Sequence, residues 1–245
     1  MSGPPDLVAA AFHWLEYLGL LGGIGSLVVR RLGRMRPRIG WAEPPMHVAF
    51  GAALAGGLGL LIAEPAWPVA ARVLAEGLAL FLCVRGLRWV AVPAVFAAAV
   101  LPPAGHAAGV IPAAGAEFAD ALHVLSAGMW AGGILALASL QPPGGWRGEE
   151  GRALLERFAR IALIAFGVTA LTGVLRATEQ LTGLSDLWST AYGLVLVFKS
   201  AGVLVMLALS ALAWGRGLPV ARPEAGVAVV VVGATALLAA FPLPA

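Results

Sequence analysis

The sequence predicts an all-α integral membrane protein of eight transmembrane helices, built as two parallel four-helix repeats with both termini outside. Three observations carry this. Of 245 residues, 60% are hydrophobic and only 12% are charged, about half the charge that covers a soluble domain. The apolar residues fall into runs long enough for a spanning helix, ~17–25 residues, without the alternation of a barrel strand. The arginines collect in every second loop, as in a chain that crosses a bilayer repeatedly. The mean hydropathy of +0.89 agrees. This composition excludes a soluble enzyme, a nucleic-acid-binding module and a disordered chain. The high isoelectric point reflects loop arginines that orient the protein, with no nucleic-acid partner implied. A single cysteine, Cys83, excludes an internal disulfide framework.

The expected spans are 6–29, 47–63, 68–84, 88–102, 117–140, 154–178, 191–214 and 225–242. The first is read as a retained helix, because MSGPPDLVAA has no basic leader. Pro37, Pro44, Pro45, Pro65, Pro102, Pro103, Pro142 and Pro143 separate several runs, since proline lacks the donor that a helix needs. The fourth run is short and holds Pro93.

Arginines 30, 31, 34, 36 and 38 follow the first span, 85 and 88 the third, 147, 152, 157 and 160 the fifth, and 216 and 222 the seventh. The alternate loops lack Lys and Arg, so the arginine-bearing loops are assigned to the cytoplasm. FHWLEYLGLLGGIGSL at 12–27 aligns with LHVLSAGMWAGGILAL at 122–137, pairing His13 with His123 and Gly22-Gly23 with Gly132-Gly133. An offset of four spans makes the repeats, approximately 6–102 and 117–242, parallel about an axis normal to the membrane. The whole chain, 1–245, is then one polytopic membrane domain.

Topology puts His13, His106 and His123 toward the outer face, where imidazole can bind copper, zinc or iron. Glu16 and Asp120, each three residues from a histidine on the same helix face, are candidates either as co-ligands or as acceptors that fix the imidazole tautomer from behind the ion. Trp130 is expected to line this site or to anchor the bundle. Met46, His47 and Cys83 are the possible ligands of an inner exit. Met129 points away from His123 and is expected to pack. Lys199, in the middle of the seventh span, is a buried charge that needs a partner. Arg72 and Arg176 are expected to snorkel from helix ends.

GHA at 105–107, LHVLSAGMWAGGILAL at 122–137, RFARIALIAFGVTALTGVL at 157–175 and AYGLVLVFKSAGVLVMLALSALAWGR at 191–216 resemble the membrane domain of the copper resistance protein D (CopD) family. The ordered features are His106, His123, Trp130-x-Gly132-Gly133, Arg157-Phe158, Thr172-Gly173, Tyr192-Gly193 and Lys199. The resemblance implies a multi-pass protein of the cytoplasmic membrane that handles copper, carrying it inward. It also implies a separate outer donor resembling copper resistance protein C, because no such domain is fused here. The alternative from the residues themselves is an electron-transfer protein with b-type haem ligated by His13 and His123. A scaffold for an outer partner is the third reading.

Overall fold

The structure is a computed structural model that describes residues 4–101, 113–181, 183–216 and 221–241. Its regular elements are all helical among these residues. They are α1 (Leu7–Gly33), α2 (Met46–Ala63), α3 (Trp67–Val84), α4 (Ala91–Val100), α5 (Ala113–Ala127), α6 (Gly133–Ala138), α7 (Glu149–Gln180), α8 (Asp186–Ser189), α9 (Ala191–Arg216) and α10 (Ala221–Ala239). Among the described residues, seven helical segments are long and apolar enough to cross a membrane, with α5 and α6 acting as one. Large apolar side chains such as Ile62, Leu74, Ile164 and Leu171 face outward, which water would penalise and lipid does not. The chain is a multi-pass membrane protein.

Local chemistry sets the helix ends. The Asp6 carboxylate accepts from the backbone N–H of Val8 at 2.8 Å and Ala9 at 3.1 Å, capping α1. Pro68 stands in the first turn of α3, where its missing N–H costs nothing. Gly86, at φ +66°, turns the chain after α3, and a 3₁₀ turn at Arg88–Val90 leads into α4. The expected fourth span is therefore shorter than its neighbours: Arg88–Val100 is an apolar helix below spanning length among the described residues.

The other seven expected spans have counterparts within a few residues. The fifth departs from regular geometry. Between α5 and α6, Gly128–Gly132 forms a π-helical turn where the chain packs most closely on α1. A Cβ on Gly25 would overlap the main chain of Gly132, and a Cβ on Gly132 would overlap that of Leu21. Glycine at both positions lets the backbones touch.

α1 is the hub, packed by α2, by α10 and by the α5–α6 segment. Leu20 and Ile24 share an apolar cluster with Val124, Leu125 and Met129. Val29 and Leu32 share another with Leu137 and Leu140. The two helices thus run parallel. At the arginine-rich end, Arg157 donates to the carbonyls of Leu32 (3.0 Å), Met35 (3.3 Å) and Pro37 (2.9 Å), satisfying acceptors left open where α1 stops. Arg30 pairs with Glu43 at 3.1 Å, and Trp41 donates to Glu150 at 2.6 Å. α9 packs on α10 and α8 and exposes most of its surface.

Candidate functional site

Polar side chains inside the bundle gather at the end opposite the arginine-rich loops, in two groups. The first lies between α1 and α3. Glu16, fully buried, accepts from Arg72 Nε at 2.6 Å, and Arg72 is only 2% exposed. Glu76 follows Arg72 by one helical turn on the same face and is also fully buried. Gly57 of α2 makes the space: a Cβ there would stand 2.6 Å from Glu76 Oε2 and 3.0 Å from Glu16 Oε1. His13 precedes Glu16 by one turn, with Nδ1 4.0 Å from Oε2. Its ring leans on Tyr17, centroids 5.3 Å apart.

The expectation that Arg72 snorkels is corrected. Its guanidinium is needed inside, because Glu16 meets it from α1 and an unpaired carboxylate in apolar surroundings is costly. Arg72 and Glu76, four residues apart in an apolar run, were a visible sign of a shared polar face that the reading by helix ends passed over.

The second group lies between α5, α7 and α9. Asp120 pairs with Arg176 at 2.5 Å, so Arg176 too is engaged within the bundle. His123 Nδ1 is 3.0 Å from Thr172 Oγ1. Lys199 stands within electrostatic reach of Asp120, Arg176 and His123, which answers the need for a partner. Tyr192 faces Arg176 and Asp120 in the same way and meets Phe241 edge-on at 5.7 Å. Tyr17 lies within reach of Glu16, Arg72 and Asp120 and so joins the two groups. A further buried acid, Glu224, accepts a hydrogen bond from Ser210 nearer the other end. Nothing in its local sequence marked it.

The remaining candidates are placed as follows. His13 meets Glu16 and Tyr17 of its own helix. His123 meets Thr172 and Gly173 of α7. His106 lies outside the described residues. Among the described residues, no three His, Cys, Asp or Glu side chains converge to hold a metal ion. Glu16 has Arg72 as its close partner and His13 at longer range, while Asp120 is bound to Arg176. Trp130, 5% exposed, packs edge-on against Phe166 at 4.9 Å in the apolar core. Met129 packs, as expected. Met46 is buried in one apolar cluster with Phe50 and Ala79, against which half-buried Cys83 packs, whereas His47 is exposed.

Residues 152–241 match the copper resistance protein D family. The matched part takes in most of α7 with all of α8, α9 and α10, hence Thr172, Arg176, Tyr192 and Lys199, and it leaves out His13, His106 and His123. A 96-residue stretch, 38% of the chain, is 38% identical to the copper transport protein CutJ of Bacillus subtilis (strain 168) and covers 18% of that protein. The chain therefore spans less than a fifth of the length of this relative. No solved structure matches. The resemblance read from the sequence holds over residues 152–241.

Proposed function

With copper resistance protein D sequence at 152–241 as the premise, we propose that the chain is a copper-handling protein of the cytoplasmic membrane that accepts copper at its outer face and passes it inward. The family match is the observation that carries this reading, and the relative named a copper transport protein supports it. His123 supplies the chemistry: an imidazole set among hydroxyl and charged groups at one end of an otherwise apolar bundle. Neutral imidazole is a good copper ligand. His13 and His106 are the proposed co-ligands. Glu16 and Asp120 then act from behind through their own arginine partners. Met46 and Cys83 offer soft sulfur donors toward the arginine-rich end and are the proposed inner exit. The proposed donor of copper is a separate copper-binding protein outside, of the copper resistance protein C kind.

The eight-crossing topology belongs to the same proposal. Because α1 and the α5–α6 segment run parallel, an odd number of crossings must lie between them. α2 and α3 supply two, and Arg88–Val100 is the proposed third. Gly132 meets Leu21 and Gly22, near-equivalent positions of the two repeats, which supports a pseudo-two-fold axis there. The arginine-rich loops support assigning that end to the cytoplasm.

The test uses protein purified into nanodiscs, with Cu(I) titrated against a chromogenic chelator and absorption spectra recorded throughout. Copper should be held in excess of empty nanodiscs, and more weakly by His13→Ala, His106→Ala and His123→Ala. No copper above the lipid background overturns the reading. A Soret band lost in His13→Ala and His123→Ala would replace it with haem ligation, for which neither the contacts nor the comparisons give support.

A further inference from the structure

The hydroxyls between α5 and α7 form a ladder. Ser126 donates to the Leu122 carbonyl at 2.7 Å, and its oxygen lies 2.8 Å from Thr169 Oγ1, which is itself 2.8 Å from the Ala165 carbonyl. One turn on, Thr172 is 5% exposed and has its Oγ1 2.7 Å from the Val168 carbonyl and 3.2 Å from the Thr169 carbonyl. The same Oγ1 is 3.0 Å from His123 Nδ1. A hydroxyl has one proton. A carbonyl can only accept, so that proton goes to α7 and the oxygen accepts from the imidazole.

Gly173 completes the seat: a Cβ there would stand 3.3 Å from His123 Cε1, tighter than ordinary contact, so glycine lets the ring lie flat on α7.

We propose that Thr172 is a positioning residue that fixes His123 as its Nδ1–H tautomer and leaves Nε2 as the bare, electron-donating nitrogen. The hydrogen bond at one ring nitrogen sets which nitrogen can bind a metal. In copper binding this role rests on the copper reading above, whereas the tautomer itself does not. Thr172 lies inside the family-matched stretch and His123 before it, so the bond ties the two parts of the chain.

The experiment is ¹⁵N NMR of protein labelled at histidine, in nanodiscs at alkaline pH, with the His123 signals identified by their loss in His123→Asn. His123 should carry its proton on Nδ1 in the parent protein and in Thr172→Ser. In Thr172→Val, which keeps shape and removes the hydroxyl, the signal should shift toward the other tautomer or a mixture. The His13 and His47 signals should stay in place, reporting an intact fold. Cu(I) affinity should fall about 10- to 100-fold in Thr172→Val and recover in Thr172→Ser. An Nε2–H tautomer in the parent protein, or an unchanged His123 signal in Thr172→Val, overturns the proposal. The expected tautomer with no copper bound by the parent protein supports the proposal and overturns the copper reading alone.

Discussion

Replacing Arg72 by methionine would keep the length and apolar volume of the side chain while removing the guanidinium that pairs with Glu16. Glu16 and Glu76 are both fully buried and would be left facing each other without a counter-charge. At the observed 2.6 Å, two unit charges attract by roughly 6 kcal/mol at an effective dielectric near 20. Desolvation offsets part of that, and loss of one partner from a buried pair costs ~3–5 kcal/mol in practice. At ~2–4 °C per kcal/mol for a chain of this size, the unfolding midpoint should drop by roughly 6–20 °C. Cys83, the sole cysteine and half-buried, provides the assay, because a thiol-reactive dye reports its exposure as the bundle opens. Glu76→Gln at the same place removes a carboxylate and should leave the midpoint unchanged or raised. Glu16→Gln combined with Arg72→Met should recover much of the loss, since the charge that Arg72 balanced is gone as well. A midpoint for Arg72→Met within about 1 kcal/mol of the parent protein, as a surface arginine would give, would refute the buried pairing.

Two further outcomes follow from the packing and the topology. Gly132→Leu should abolish a monodisperse size-exclusion peak, because its side chain would occupy the main chain of α1, whereas Gly167→Ala, with open space at its Cβ, should elute normally; equal behaviour of the two would refute the close crossing. Reporters placed within 142–147 should be cytoplasmic and one after Ala245 external; a cytoplasmic carboxyl terminus would refute eight crossings.

The spans were legible because lipid imposes a length and an apolar content on any helix that crosses it, and seven of the eight expected runs carried both. The weakness of the fourth was legible too, in its length and in Pro93. What could not be read was the pairing of charges across helices. Asp120 and Arg176 lie 56 residues apart in sequence, as do Glu16 and Arg72, and no spacing rule joins them. Assigning Arg72 and Arg176 to snorkelling came from their place near helix ends, which is sound for a helix facing lipid. Each faces another helix instead. Met46 and His47, both named for an inner exit, are adjacent in sequence without sharing a helix face. Neighbours on a helix point ~100° apart, so one is buried and the other exposed. Trp130 was expected to line the site or to anchor the bundle, and the glycine-rich π turn carries it into the apolar core against Phe166.

The two polar groups are better understood together than apart. With ordinary charges, Glu16, Glu76 and Arg72 carry one negative charge in excess, and Asp120, Arg176 and Lys199 one positive charge. Either group alone would be an unbalanced charge in a medium that penalises it heavily. Placed at the same end of the bundle, with Tyr17 in reach of both, they compensate each other. The negative group sits in the first expected repeat, on α1 and α3, and the positive group in the second, on α5, α7 and α9. Attraction between them therefore acts in the same direction as the glycine crossing of α1 on α5–α6. The crossing fixes how closely the two parts approach, and the charges oppose their separation at the end where His13 and His123 stand.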